Sequence, residues 1–132
     1  MDSQLKVRTG RPQDHFGMMT LAMAACADNG LANPNPMKLL AEIWPALNLH
    51  RGIIGIVDEP EIRAAALLRV DTLWYSDDDS IVERAIFVHP DYRAAKGGRA
   101  RVLCEWVKSV QSALDMPLIV GILSSERTEA KV

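Results

Sequence analysis

Apolar positions recur along this chain at two different periods, and the switches between them lay out the expected elements. Residues 5–9 alternate as a short strand, and residues 13–27 follow with Phe16, Met19, Leu21, Met23 and Cys26 in a loosely helical pattern. Residues 28–36, "DNGLANPNP", hold two prolines, a glycine and three asparagines, which is turn chemistry. Pro36 suits the first turn of a second helix, expected through about Leu49 and striped by Leu39, Leu40, Ile43, Trp44 and Leu47. Pro45 is expected to kink that helix or end it early, and Trp44 is expected in the core.

From Gly52 the period changes: "GIIGIV" is short, rich in isoleucine, and closed by Asp58-Glu59-Pro60, as a strand should be. Residues 62–75 form a second strand candidate, joined by the polar tip "SDDDS" at residues 76–80 to a third at 81–88. Three successive strands of this kind predict an antiparallel meander. Residues 99–114 return to helical spacing, with Val102, Leu103, Trp106, Val107, Val110 and Leu114 on one stripe and Arg101, Glu105, Lys108 and Gln111 opposite. "PLIVGIL", residues 117–123, is a near-continuous apolar run expected to be a strand buried on both faces. The order is β-α-α-β-β-β-α-β in one domain over residues 1–132, and its strand–helix–strand close implies a parallel neighbour reached by a right-handed crossover.

Composition narrows the class. With 48% apolar and 24% charged residues, a formal charge of -2 and a pI near 5.9, the chain has a core-forming make-up and lacks the cationic footprint of a nucleic-acid binder. No apolar run approaches the roughly 20 residues that cross a bilayer, and the N-terminus has no signal-peptide pattern, so no membrane and a cytoplasmic location are expected. Cys26 and Cys104 are isolated thiols that no CxxC or HExxH spacing joins to His15, His50 or His89; buried reduced thiols and no structural metal are expected. GxxxxGK and GxGxxG are both absent, which removes P-loop and Rossmann nucleotide binders.

One stretch concentrates charge against the acidic average. "VHPDYRAAKGGRAR", residues 88–101, follows a strand with a proline, a tyrosine, four basic residues and adjacent glycines, with no acid after Asp91. Glycines let consecutive amides turn into one concavity, and the open N–H groups of the following helix favour an anion. A helix terminus alone contributes about 0.3–1 kcal/mol at an exposed site, so Arg93, Lys96, Arg99 and Arg101 are expected to act as an electrostatic collar.

This order, with "IFVHPDYR", the basic glycine loop and the amphipathic helix, resembles the GNAT family of acyl-CoA-dependent N-acyltransferases over about residues 5–132 and most densely over 83–106. Val88, Pro90, Tyr92 and Arg93 supply the family's Val-x-Pro-x-Tyr-Arg signature on the fourth strand. The resemblance implies an α+β fold, an α/β/α sandwich around a central mixed sheet, here without the usual C-terminal helix and strands, as in a short or truncated, phage-type member. It also implies acetyl-CoA as co-substrate, with the pyrophosphate held by the loop Arg93, Ala94, Ala95, Lys96, Gly97, Gly98, Arg99 and Ala100. Two registers are open: counted from Arg93 the motif glycine falls on Lys96, and counted from Ala94 it falls on Gly97 with Arg99 at the small-residue position.

By the same resemblance, main chain of Ile86, Phe87 and Val88 pairs with the pantetheine arm, and Glu83 serves as general base, directly or through water. Strand alternation puts Glu83 on a face with Ala85 and Phe87, opposite Val82, Ile86 and Val88; the alternative is a solvated strand glutamate paired with Arg84 or Arg69. Neither Tyr75 nor Tyr92 stands where the family carries its acid tyrosine, and Tyr92 is expected to pack or hydrogen-bond at the loop. Asp77, Asp78 and Asp79 form a charged hairpin tip able to attract a cationic substrate, and the resemblance implies an acceptor side shaped by the early helices and the "DNGLANPNP" loop, with Trp44, His50 and nearby residues as its candidates. The implied function is transfer of an acetyl group to an amine of a small-molecule or protein acceptor. The alternative is a catalytically weak module that binds acyl-CoA or a protein partner. An apolar fifth strand ending the sheet would expose an edge, so homo-oligomerisation through that edge is expected.

Overall fold

The computed structural model describes residues 5–29, 33–93 and 98–120. Among the described residues five strands form one mixed sheet in sequential order, with three α-helices. Strands β1 (Val7–Thr9), β2 (Gly52–Val57), β3 (Ala64–Thr72) and β4 (Asp79–Val88) run antiparallel to their neighbours, and β5 (Leu118–Val120) lies parallel to β4. The fold class is the expected one: α+β with helices on both faces of a central sheet.

Two apolar clusters separate the layers. Ile54, Ile56, Ala65, Leu67 and Phe87 pack against Met18, Leu21 and Ala22 of helix α1 (His15–Asn29) and Ile43 and Leu47 of helix α2 (Pro36–Leu47). On the opposite face Val57, Ala64, Ala66, Leu68 and Ile81 pack against Leu103 and Val107 of helix α3 (Arg99–Leu114). Residues of β3 alternate cleanly between the clusters, as the two-residue strand period requires. Gly55 lets α3 come close, because a Cβ there would lie 2.7 Å from the Trp106 ring.

Local chemistry sets the ends of the helices. Asp14 accepts the Arg11 N–H at 2.8 Å and both terminal nitrogens of Arg8 at 2.9 and 3.0 Å, tying β1 to the single 3-10 turn that leads into α1. The Arg8 hydrogen bond holds the Asp14 carboxyl below the usual aspartate range. Asn35 caps α2, its side-chain oxygen accepting from the N–H groups of Met37 and Lys38. Pro45 does not end α2, which runs on to Leu47; left-handed Leu49 and Arg51 then turn the chain into β2.

Several expectations are corrected here. The β3–β4 hairpin tip is Leu73 to Asp78 rather than 76–80: the Leu73 N–H reaches the Asp78 carbonyl at 2.9 Å, and Ser80 is buried in the sheet. Asp79 belongs to β4 and bonds Arg51 at 3.1 Å, so only Asp77 and Asp78 remain at the tip beside solvent-projecting Trp74, which is 93% exposed. Strand β5 is not buried on both faces. Leu118 packs on the α3 side; Ile119 faces the other way and is 43% exposed because α1 and α2 cover β2 to β4 and stop short of β5, while Val120, on the Leu118 face, is 47% exposed. Residues 121–123 of the expected strand lie outside the described residues. Cys104 is exposed on α3, and Cys26 is only half-buried, its thiol pushed up by that burial.

Candidate functional site

Strand β4 carries an irregularity at its middle. Leu67 pairs with Ala85 and the next residue, Leu68, pairs with Glu83, so Arg84 is an extra residue in the ladder. The bulge reverses the facing of everything after it. Ile81 packs on the α3 side, as do Ile86 and Val88, whereas Ala85 and Phe87 pack on the α1/α2 side. Cross-strand partners share a face, so pairing with Leu68 puts Glu83 on the α3 side. The expected grouping of Glu83 with Ala85 and Phe87 is therefore wrong, since strict alternation cannot pass through a bulge.

On its other side β4 meets β5 up to this point. β5 pairs with β4 at Ile81↔Leu118, Val82↔Ile119 and Glu83↔Val120, and Val120 is the last described residue of that strand. Ile86, Phe87 and Val88 are bonded to β3 on their other side.

Beyond Val88 the chain enters a 3-10 turn, Pro90–Tyr92, in which the His89 Nδ1 accepts the Asp91 N–H at 3.1 Å. Tyr92 packs at the loop, as expected: the guanidinium carbons of Arg63 and Arg99 lie 4.6 and 5.1 Å from its ring centre. Ala94, Ala95, Lys96 and Gly97 lie outside the described residues. Gly98 caps α3 in the left-handed region at φ 67°, a conformation that favours glycine, and nothing lies within 4 Å of where its Cβ would stand. The first helical bond runs from the Val102 N–H to the Gly98 carbonyl, so the amides of Arg99, Ala100 and Arg101 have no carbonyl within the helix to meet.

The arginine collar is corrected in part. Arg99 is held by Glu59, Nε to Oε2 at 2.9 Å and Nη2 to Oε1 at 2.8 Å, with both side chains about nine-tenths buried. The Arg99 hydrogen bonds hold the Glu59 carboxyl below the usual glutamate range, and Arg63 adds a contact at 3.3 Å. The β2–β3 turn supplies Glu59 beneath the start of α3, and so Arg99 serves packing with its side chain while its main-chain N–H stays at the helix end. Arg93 bonds Asp28 at 2.6 Å and the Val88 carbonyl at 3.3 Å, and Arg101 sits 3.6 Å from Glu105 on the open surface.

A cavity of about 340 Å³ opens on the α1/α2 side of the bulge, lined by Ala25, Cys26, Leu39, Leu67, Ala85, Ile86 and Phe87 with Glu42, Arg84 and Arg93. Glu42 was not anticipated from sequence. Its carboxylate accepts Arg84 Nε at 3.2 Å and Arg69 Nη1 at 3.0 Å, so α2 holds the bulged residue directly. Trp44 is not core: it is 45% exposed on the outer side of α2, edge-on to His15 at 5.9 Å. His50 lines a separate polar hollow with Arg51, Arg69 and Asp71. Among the described residues no three His, Cys, Asp or Glu side chains gather as metal ligands, and no helix is long and apolar enough to cross a membrane.

No family model and no curated protein matches this sequence. Solved structures do match in fold. A possible acetyltransferase from Clostridium difficile 630 aligns with a TM-score of 0.76 at 13% identity, covering 98% of this chain and 86% of that one. The aminoglycoside N-acetyltransferase AAC(6')-Iy, solved in complex with CoA, aligns at 0.71 with 16% identity over 99% and 84% of the two chains. A GNAT family acetyltransferase from Staphylococcus aureus aligns at 0.65 with 15% identity over 93% and 94%. The chain therefore has the GNAT acetyltransferase fold.

Proposed function

We propose that this protein is an acetyl-CoA-dependent N-acetyltransferase of the GNAT family. The observation that carries this is the β4 bulge at Arg84 beside an apolar cavity, on a strand that leads through the Pro90–Tyr92 turn to a left-handed glycine cap on α3. The likeness in fold to a CoA-bound acetyltransferase supports it.

In this reading, main chain of Ile86, Phe87 and Val88 pairs with the pantetheine arm. The diphosphate sits against Arg93, Ala94, Ala95, Lys96, Gly97 and Gly98 and the first-turn amides of Arg99 and Ala100, where unpaired N–H groups and the helix dipole favour negative charge. The acceptor amine attacks the thioester carbonyl carbon, a C–N bond forms, and the C–S bond breaks. The amine proton passes by way of water to Glu83, which lies on the α3 side of the strand from the cavity, a main-chain N–H holds the oxyanion, and the departing thiolate takes up a proton. Association of two copies through the β5 edge belongs to the same proposal, supported by exposed Ile119 and Val120.

Calorimetric titration with CoA and acetyl-CoA, followed by acceptor-dependent thiol release, tests this function. Saturable binding that Arg93→Ala weakens about tenfold, the loss of one charge-assisted contact, is the expected result. Affinity unchanged by both Arg93→Ala and Gly97→Pro removes the loop assignment, and binding without release under any acceptor supports the non-catalytic alternative.

A further inference from the structure

The cavity beside the bulge carries information about the acceptor. Its wall is apolar over most of its extent: Ala25, Leu39, Leu67, Ala85 and Phe87 supply carbon surface, and at about 340 Å³ it suits one small molecule. Its ionic groups are two guanidiniums, Arg84 and Arg93, and one carboxylate, Glu42. That carboxylate is already compensated, since it accepts from both Arg69 and Arg84. A polycation entering here would meet Arg84, an Arg93 paired with Asp28, and no uncompensated acid among the described lining residues. The arginines differ from Glu42 in spare capacity. A guanidinium has five N–H donors; Glu42 takes Arg84 Nε, whereas Asp28 and the Val88 carbonyl take Arg93 Nη1 and Nε, so Arg84, 44% exposed at the rim, is the arginine whose charge is turned to the cavity.

Resting on the acetyltransferase reading above, we infer that the acceptor is a small amine with an apolar body and a carboxylate near the amine, of the class of an apolar α-amino acid, whose carboxylate is received by Arg84. The apolar body fills the space between Leu39 and Phe87, and the carboxylate lies at the rim against the bulged arginine. The amine then sits beside the bulge, at the end of the cavity nearest β4. Its nitrogen gains the acetyl group as the thioester C–S bond breaks, yielding an N-acetylated acid and free thiol. Glu42 is a positioning residue in this arrangement, orienting Arg84 through its Nε.

The test uses the full chain, acetyl-CoA and thiol release with L-phenylalanine, L-methionine, phenethylamine, spermine and kanamycin. The two amino acids are expected to show the highest kcat/KM. Phenethylamine, which lacks the carboxylate, is expected to fall about tenfold below phenylalanine, the loss of one charge-assisted contact. In Arg84→Gln the phenylalanine-to-phenethylamine ratio is expected to collapse toward one. Preference for spermine or kanamycin overturns the inference, as does an unchanged ratio in the variant. The wild-type panel decides the matter even if the variant does not fold. CoA binding with no release from either amino acid overturns the acceptor class alone, whereas absence of CoA binding overturns the acetyltransferase reading beneath it.

Discussion

Glu59 and Arg99, forty positions apart, form a two-pronged ion pair of 2.9 and 2.8 Å beneath the first turn of α3. It anchors the helix end that the proposed diphosphate contact uses to the turn between β2 and β3. Arg63 and the Tyr92 ring complete the cluster, so the turn after β4 and the start of α3 are held by one set of contacts.

Removing one partner leaves a buried charge uncompensated. Glu59→Ala is expected to destabilise the fold by about 3–5 kcal/mol, measured by urea unfolding. A loss below 1 kcal/mol contradicts the buried character of the pair. In whatever fraction stays folded, CoA affinity should fall as well, because α3 is no longer pinned at its N-terminus.

The same pair sets an acid limit. The folded-state carboxyl of Glu59 lies below its ordinary value, so its contribution is fully present above the unfolded glutamate range, about 4.3, and is lost as pH falls through the lower folded value. Stability measured from pH 7 down to 3 should decline across that window, and Glu59→Gln should flatten part of the decline. Asp14 acts in the same direction through Arg8.

Gly98 is required for its backbone rather than for space. A Cβ there meets nothing within 4 Å, yet φ is 67°. Gly98→Ala should cost about 1–2 kcal/mol from the left-handed conformation alone, by chemical denaturation. A neutral result would mean the cap relaxes to another conformation.

Exposed Ile119 and Val120 at the sheet edge underlie the proposed self-association. Gel filtration with light scattering should give a mass above 14.6 kDa, and Ile119→Lys with Val120→Lys should shift it to that of the single chain. A monomer at high concentration in the unaltered protein rejects the association.

The bulge at Arg84 left a trace in the sequence that strict alternation obscures. In "IVERAIFV" the residues packing toward α3 are Ile81, then Ile86 and Val88, a change of parity that two adjacent charged residues mark. Reading the segment as one uninterrupted period gave Glu83 the wrong face. Trp44 failed for a related reason: it sits on the apolar stripe of α2, but that stripe is wider than the sheet beneath it, and its outer margin is left to solvent.

What the sequence by itself determined is the order and type of the elements, the amphipathic face of α3, and the glycine at its start. These depend on backbone period and local conformational preference, which neighbouring residues encode. Only the tertiary structure decided that Arg99 belongs to Glu59, that Glu42 reaches across to Arg84, and that a cavity lies between α1, α2 and the bulge. Those are relations between side chains far apart in the chain, settled when the layers pack and each charge takes the partner that geometry brings within hydrogen-bond reach.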